Sequence, residues 1–290
     1  MARSGPILVL GGSGLLGEAL QAELVERGQE FHAPGRDTLD LADDRAIESW
    51  FDDQQVSAVV NAAAYTDVTR AELPGESEAV FRLNRDAPAT LARVCRRQGI
   101  AMVFVSTDFV FDGASRQPYG ERSSPAPLQV YGRSKLEGER AVLGAHPDAL
   151  IARTSTLYGP GRRGRPHYVD AILGQAARRD RIEVVLGPVS SPTYTPDLAR
   201  ALIELLEVGA TGLVHVVNDG ACSRLDLARE IVRLAGEAGR VIVAERPETH
   251  EGPRRPAYSV LDATRFVELT GMTLRSWQRA LADYVAFRDR

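Results

Sequence analysis

The feature that most restricts the fold of this chain is an apolar run that leads directly into a glycine-rich turn and a helical pattern. Pro6-Ile-Leu-Val-Leu10 is apolar throughout, as expected for a strand that is covered on both faces. Gly11-x-x-Gly14-x-x-Gly17 follows, and leucines then recur on one side of a predicted helix. Glycines at this spacing permit a tight turn, a close approach of backbone to a pyrophosphate, and packing of the helix on the strand. The turn residues that we expect to bind a dinucleotide are Gly11, Ser13, Gly14, Leu15, Leu16 and Gly17.

The same alternation of strand and helix continues through the first half of the chain. Apolar runs recur at 30–33, 58–60, 101–105 and 150–152, with helical patterns between them. Buried strands that alternate with helices predict an α/β fold with a doubly wound parallel sheet of the Rossmann type. After about residue 155, strand and helix patterns no longer alternate regularly. We expect an NAD(P)-binding domain over 1–155, a smaller interleaved C-terminal substrate-binding lobe over most of 156–290, and a return to the sheet at about 190–218.

Composition and charge exclude several classes of function. The 290 residues include 35 Lys and Arg against 39 Asp and Glu, a net charge of −4, so we expect neither a nucleic-acid polymer nor a membrane surface as a partner. Cys95 and Cys222 form no CxxC pair and the five histidines are scattered, so no metal site is predicted. Without a transmembrane run or a signal-peptide pattern, the expected location is the cytoplasm.

Tyr131 and Lys135 are the clearest candidates for catalysis. They are four residues apart on a predicted helix over 130–143, which places both side chains on one face. A phenol with an ordinary pKa of ~10 is a poor acid or base at neutral pH, and a nearby ammonium is expected to lower that pKa. Ser106-Thr107-Asp108 ends a strand about 25 residues earlier in the chain. We predict that Tyr131, Lys135 and Thr107 are catalytic, and that Tyr131 and Lys135 also contact the cofactor.

The loop after the second predicted strand bears on the choice between NADP and NAD. An acid at this point commonly holds a ribose 2′-hydroxyl, whereas arginine suits a 2′-phosphate. This chain has Gly35-Arg36 with no acid directly before the arginine, which favours NADP and leaves NAD as the alternative. A solvated loop arginine is the competing interpretation of Arg36. The basic run 162–165 is likewise interpreted as a solvated loop in preference to a diphosphate clamp.

Several motifs together identify a family. They are Ser106-Thr-Asp-Phe-Val-Phe-Asp-Gly113, Val130-Tyr-Gly-Arg-Ser-Lys-Leu-Glu-Gly138, Asn61-Ala-Ala-Ala64, Arg153-Thr-Ser-Thr-Leu-Tyr-Gly159, Ser191-Pro-Thr-Tyr194 and Arg255-Pro-x-x-x-x-Leu-Asp262. Nearly end to end and in order, they resemble the dTDP-4-dehydrorhamnose reductases, which are extended short-chain dehydrogenases with an RmlD-type substrate-binding domain. The resemblance implies NADPH-dependent reduction of the C4 ketone of a nucleotide-linked 4-keto-6-deoxyhexose, in the synthesis of deoxysugar precursors for cell-surface polysaccharides.

The resemblance also implies roles for individual residues. Tyr131 would give a proton to the C4 oxygen, and Lys135 would bind the nicotinamide ribose. Thr107 and Asp108 would hold the sugar, although Asp108 could instead cap a turn. Further cofactor contacts would come from Asp40 and Leu41 beside the adenine and from Ala62, Ala63, Ala64 and Tyr65 along the dinucleotide. A homodimer is the family expectation.

Two departures from the family pattern fall in the expected sugar pocket. Phe109 stands where the family usually has tyrosine, and Thr156 stands where it usually has tryptophan. The first change removes a hydroxyl and the second removes a large stacking face. The hydride machinery is therefore expected to be intact and the sugar pocket altered. Two alternatives stay open: a reductase or epimerase of another nucleotide sugar, and a non-catalytic NADP-binding regulatory subunit resembling methionine adenosyltransferase β.

Overall fold

A single parallel sheet organises the chain. The computed structural model describes residues 5–161, 167–185, 187–246 and 252–288. The strands are β1 (Ile7–Leu10), β2 (Phe31–His32), β3 (Ala58–Asn61), β4 (Ala101–Thr107), β5 (Leu150–Thr154), β6 (Leu157–Tyr158), β7 (Arg181–Val185), β8 (Val189–Ser190), β9 (Thr193–Tyr194), β10 (Gly212–His215), β11 (Cys222–Ser223) and β12 (Ile242–Arg246). The helices are α1 (Leu15–Glu26), α2 (Asp44–Asp53), α3 (Ser77–Phe81), α4 (Ala87–Gln98), α5 (Val130–Ala145), α6 (Tyr168–Ala176), α7 (Thr195–Glu207), α8 (Arg224–Leu234), α9 (Thr264–Thr270) and α10 (Trp277–Arg288).

Six strands form the sheet in the order β10-β5-β4-β3-β1-β2, and all neighbouring pairs are parallel. The predicted α/β fold with a doubly wound parallel sheet is confirmed. The chain winds outward from β1 first to β2 and then, through β3, in the other direction. Loops that leave β1 and β3 therefore diverge at their carboxyl ends, and this divergence opens the crevice in which such sheets bind ligands.

Both faces of the sheet are covered by helices, which explains why its strands are apolar rather than alternating. On one face, α1 and α7 contribute buried leucines such as Leu20 and Leu202 to a common core with the sheet. On the other face, Ile47 of α2, Leu91 of α4 and Val142 of α5 pack against strand residues that point the opposite way. The sheet is therefore fixed between two helical layers.

A separate apolar cluster lies outside these layers. It joins α6, β7, α8 and α10, and it buries Trp277. Strands β7 and β12 pair in parallel, and the short pairs β6–β9 and β8–β11 lead the chain into and out of this region. Between these excursions α7 and β10 return to the sheet. The domain boundaries stay a prediction.

The structure also describes the surroundings of the two cysteines and of His215, and it bears on whether a helix could span a membrane. Cys95 and Cys222 are buried free thiols, and burial raises the pKa of each to about 12, so neither is a reactive thiolate at neutral pH. His215, at the end of β10, is fully buried. Throughout the described ranges, no helix combines the length and apolar character needed to cross a membrane.

Candidate active site

The glycine turn places bare backbone at the end of β1. Gly11 has a φ of +77°, and its amide carbonyl accepts a hydrogen bond of 2.9 Å from the Gly14 N–H. A β-carbon on Gly11 would lie 2.7 Å from the nitrogen of Ala63, and one on Gly17 would lie 2.0 Å from the Gly11 oxygen. Gly14 is also the N-cap of α1 and contributes no capping side chain. The turn therefore presents the amino end of α1 to the crevice, a position that favours an anion.

The loop after β3 lies beside this turn. The Ala62 N–H donates to the Leu10 carbonyl at 3.1 Å, and the Ala63 N–H donates to Oδ1 of Asn61 at 3.1 Å. The predicted cofactor residues Ala62, Ala63 and Ala64 thus line the same edge of the sheet as the glycine turn. Their small side chains keep the crevice between β1 and β3 open.

Asn84 connects this loop to the catalytic helix, and the sequence analysis missed it. It lies in a π-helical turn, Arg82–Asp86, between α3 and α4, and it is fully buried. Its Oδ1 accepts from the Tyr65 N–H at 2.8 Å, and its Nδ2 donates to the Ser134 hydroxyl at 2.9 Å. A β-carbon on Gly138 would lie 2.0 Å from the Asn84 carbonyl oxygen. In the sequence, the only sign of this role was that Asn84 is a polar residue at a position that the helical pattern places on the apolar face.

The turn after β4 packs directly against the start of α5. A β-carbon on Gly132 would lie 2.2 Å from the Phe109 carbonyl oxygen, so only glycine allows this approach. As a result the Thr107 and Tyr131 side chains lie close enough to interact, and the Tyr131 ring meets the Phe109 ring edge to face at 6.0 Å. The structure therefore brings Thr107 and Tyr131 together as predicted.

Lys135 lies one helical turn beyond Tyr131 and is 1% exposed. Its ammonium is 3.9 Å from the centroid of the Phe104 ring, and among the described residues it has no hydrogen-bond partner. Burial lowers the pKa of Lys135 to about 7, while the negative charge of Glu139 opposes that shift. A buried ammonium of this kind can donate hydrogen bonds to hydroxyl groups of a bound molecule.

One electrostatic expectation was wrong. We expected the Lys135 ammonium to lower the pKa of Tyr131, but burial raises that pKa to about 12. The neighbouring Thr107 hydroxyl acts to lower this pKa, and the nearby Asp108 carboxyl raises it further. In this structure Tyr131 is therefore a phenol, which is the form that donates a proton.

A buried ion pair joins Arg153 of β5 to Glu139 of α5. The Arg153 guanidinium donates to both oxygens of the Glu139 carboxylate, at 2.8 and 2.6 Å, and the Ser106 hydroxyl donates to the same carboxylate at 2.5 Å. The pair links α5 to the ends of β4 and β5. Glu139 follows Lys135 by four residues, so the sequence places both on one face of the predicted helix. Nothing in the sequence pattern identified Arg153 as the partner of Glu139.

Asp108 is buried in a ring of hydroxyl groups. Its Oδ1 accepts from Thr107 at 3.1 Å, and its Oδ2 accepts from Ser155 at 2.8 Å and from Ser259 at 2.6 Å. Burial nevertheless raises the pKa of Asp108 above its ordinary value. The turn-capping role considered for Asp108 belongs instead to Thr107, whose hydroxyl accepts from the Phe109 N–H at 3.2 Å.

The two residues that depart from the family pattern line a pocket between the sheet and the outer cluster. The lining of this pocket includes Phe109, Thr156, Asp108, Tyr168 and Arg224. Thr156 is exposed and has a φ of +44°, a conformation that no other non-glycine residue adopts in the described part of the chain. Its hydroxyl is 2.8 Å from that of Ser190.

The remaining predicted residues are Arg36, Asp40, Leu41 and Tyr65. Arg36 follows β2, is 81% exposed, and lies 3.6 Å from the Asp40 carboxylate, while Leu41 packs partly against the core. The Tyr65 hydroxyl donates to Glu76 at 2.8 Å. The basic run 162–165 lies outside the described residues, apart from its flanking positions.

These features fit a nicotinamide dinucleotide. The glycine turn is a cradle that side chains would fill, and the buried Lys135 ammonium suits a pair of ribose hydroxyls. That Arg36 contacts a 2′-phosphate stays a prediction. The contacts described above join the glycine turn to the loop after β3, and join that loop through Asn84 to α5.

Comparison with known proteins agrees with this geometry. The chain is 40% identical to a probable dTDP-4,6-dihydroxy-2-methyloxan-3-one 4-ketoreductase of Streptomyces antibioticus, covering 97% of this chain and 94% of the relative. It is 38% identical to the dTDP-4-dehydrorhamnose reductase of Mycobacterium tuberculosis, covering 98% and 93%.

Solved structures show the same fold. The dTDP-4-dehydrorhamnose reductase of Bacillus anthracis, solved in complex with NADP, superposes with a TM-score of 0.91 at 28% identity, covering 98% of this chain and all of the other. The model of the RmlD substrate binding domain matches residues 5–289. Because that match spans nearly the whole sequence, the chain belongs to the RmlD substrate-binding-domain family.

Proposed function

We propose that this protein is an NADPH-dependent reductase of the C4 ketone in a dTDP-linked 4-keto-6-deoxyhexose. The observation that carries the proposal is the grouping of Thr107, Tyr131 and Lys135 at the crevice beside the glycine turn. The relatives named above support the substrate class, because they are dTDP-sugar ketoreductases by name. The Bacillus anthracis protein supports NADP as the cofactor.

The proposed chemistry assigns one task to each residue. The bound cofactor supplies the hydride. Tyr131, a phenol with a raised pKa, donates its proton to the C4 oxygen as negative charge develops there. Thr107 donates a second hydrogen bond to that oxygen or to the phenolate. Lys135 holds the nicotinamide ribose through its buried ammonium, which has no hydrogen-bond partner among the described residues.

The sugar would lie in the pocket between the sheet and the outer cluster. The lining includes Phe109, Thr156 and Asp108, whose carboxylate accepts hydrogen bonds from Ser155 and Ser259. Phe109 contributes a ring without a hydroxyl, and Thr156 leaves space that a tryptophan would fill. We infer that the enzyme accepts a sugar whose substituents differ from those of dTDP-4-dehydrorhamnose, within the same 4-keto-6-deoxy class.

A direct assay tests the proposal. NADPH oxidation at 340 nm would be followed with dTDP-, UDP- and GDP-linked 4-keto-6-deoxysugars, with NADH in parallel. Turnover is expected with at least one dTDP-sugar. Silence across the panel, with NADPH binding shown by a thermal shift, would instead favour a binding role such as that of a regulatory subunit.

Location and assembly belong to the same proposal. We infer a cytoplasmic enzyme, because its substrate and reductant are both cytoplasmic metabolites of the activated-sugar class, and a homodimer, as is common in the family. Light scattering coupled to gel filtration measures the assembly directly.

A further inference from the structure

Arg224 is the only positively charged side chain among the described residues that line the pocket beside Phe109 and Thr156. The pocket adjoins the catalytic group, because the Phe109 ring meets the Tyr131 ring edge to face at 6.0 Å. A molecule that reacts at Tyr131 and extends into this pocket therefore meets the Arg224 guanidinium.

A pair of short strands carries Arg224 to the pocket. Ser190 of β8 lies opposite Cys222 of β11, and α8 begins directly after β11 with Arg224. The Ser190 hydroxyl is 2.8 Å from that of Thr156. The β8–β11 pair therefore connects Thr156, at the end of the sheet, to Arg224, at the start of a helix in the outer cluster.

Contacts with Tyr168 and Gly187 hold the Arg224 side chain. The guanidinium carbon is 5.4 Å from the centroid of the Tyr168 ring, and the Tyr168 hydroxyl donates to the Arg224 carbonyl at 2.9 Å. Gly187 packs against the aliphatic stem, so that a β-carbon at this glycine would lie 3.2 Å from Cδ of Arg224. Because the side chain is already ordered, it loses little conformational freedom when it binds a ligand.

The positive charge at this place comes from the Arg224 side chain and not from the helix end. Ser223 caps α8, and its hydroxyl accepts from the Asp226 N–H at 3.1 Å. The Asp226 carboxylate adds a negative charge to the first turn and accepts from the Ser223 hydroxyl at 2.6 Å. These groups satisfy and offset the amino end of the helix.

We propose that Arg224 binds the diphosphate of the nucleotide sugar and thereby directs the sugar ring toward Tyr131. The inference rests on the proposed function, which supplies a dTDP-linked substrate. A guanidinium can donate two parallel N–H bonds to phosphate oxygens, and its charge complements the diphosphate. The Thr156 and Ser190 hydroxyls in the same pocket suit the uncharged hydroxyl groups of a sugar.

Binding of dTDP to the protein saturated with NADP tests the inference without turnover. Arg224→Met keeps an unbranched apolar stem and removes the charge. Isothermal titration calorimetry should show dTDP affinity about 10- to 100-fold weaker in this variant, as expected for loss of a charge-assisted hydrogen bond. Thymidine has the same base and no phosphate, so its affinity should be unchanged.

Arg229→Met is the matched control, because Arg229 is an exposed residue of the same helix and the substitution makes the same change in net charge. It should bind dTDP as the wild type does. Arg224→Lys keeps the charge but not the planar fork, and its dTDP affinity should fall severalfold. This variant decides the question if Arg224→Met does not fold, since wild-type affinity in Arg224→Lys would overturn the inference.

The other outcomes are equally distinct. Equal dTDP affinity in Arg224→Met and Arg229→Met would overturn the inference. An equal loss of dTDP and thymidine in Arg224→Met would also overturn it, because Arg224 would then act only by packing against Tyr168. A wild-type protein that binds dTDP through Arg224 but oxidises no NADPH with any sugar would overturn the reductase and leave the diphosphate contact in place.

Discussion

Gly132 faces the carbonyl oxygen of Phe109 so closely that a β-carbon at position 132 would lie 2.2 Å from that oxygen. This contact sets the distance between the start of α5 and the turn after β4, and therefore the distance between Tyr131 and Thr107. The glycine within the Tyr-Gly-x-x-Lys segment is thus required by packing, not by chain flexibility.

Gly132→Ala should impair both stability and catalysis. The added methyl must push α5 away from Phe109, which costs about 1–3 kcal/mol of unfolding free energy as overpacking does elsewhere. A displacement of Tyr131 near 1 Å should lower kcat by about 100-fold. Gly144→Ala is the control, because nothing lies within 4 Å of a β-carbon there in the same helix. Chemical denaturation and steady-state kinetics would check both variants, and unchanged kinetics in Gly132→Ala would contradict the packing argument.

Tyr131→Phe should remove the proton donor while the cofactor cradle survives. We expect kcat to fall by about 10²–10⁴-fold, the range for a positioned general acid, with little change in NADPH affinity. Titration of NADPH fluorescence measures the binding, and the 340 nm assay measures turnover. Retention of full activity would show that another group supplies the proton.

The buried ammonium of Lys135 predicts how stability depends on pH. Its pKa is lowered from 10.5 to about 7 in the folded protein. Between these two values the unfolded chain binds the extra proton, so the contribution of Lys135 to stability rises as pH increases from 7 toward 10. Below pH 7 both states are charged, and the cost of burying the charge is fully present.

Lys135→Met should therefore flatten the pH profile. Relative to this variant, the wild-type melting temperature without cofactor should increase between pH 7 and 9.5. Thermal unfolding in a series of buffers of equal ionic strength would measure the difference. Parallel profiles for the two proteins would mean that Lys135 keeps its ordinary pKa when folded.

Arg36 should control the preference for NADPH over NADH. Its guanidinium is 81% exposed and shares only a long ion pair with Asp40, so it can reorient toward a 2′-phosphate. Arg36→Ala should weaken NADPH binding about tenfold, equivalent to about 1.4 kcal/mol, and should leave NADH binding nearly unchanged. Arg45→Ala, an exposed arginine on α2, makes the same change in net charge and serves as the control. Equal losses for both cofactors would assign Arg36 to the solvated loop.

The sequence allowed the sheet, its flanking helices and the Thr107–Tyr131–Lys135 group to be predicted, because each depends on local periodicity or short spacing. Ala58–Asn61 and Ala101–Thr107 were recognisable as strands since burial on both faces leaves a continuous apolar run. The Glu139–Arg153 pair was not predictable, since it depends on which side of β5 faces α5. The pKa of Tyr131 was mispredicted for a similar reason: the burial that raises it arises from tertiary packing.

The π-helical turn around Asn84 has a consequence for how this enzyme family can vary in length. One residue more than a regular helix needs is accommodated between α3 and α4, and that residue lets Asn84 reach both Tyr65 and Ser134. Removing any one residue from Arg82–Asp86 would restore an ordinary helix and rotate Asn84 out of register with both partners. In a scan of single-residue deletions, removal of any residue from Arg82–Asp86 should abolish turnover. Deletion of the loop residue Gly75 should be better tolerated, because a β-carbon there would meet nothing within 4 Å. Evolution can therefore exchange side chains along this helix far more freely than it can insert or delete them.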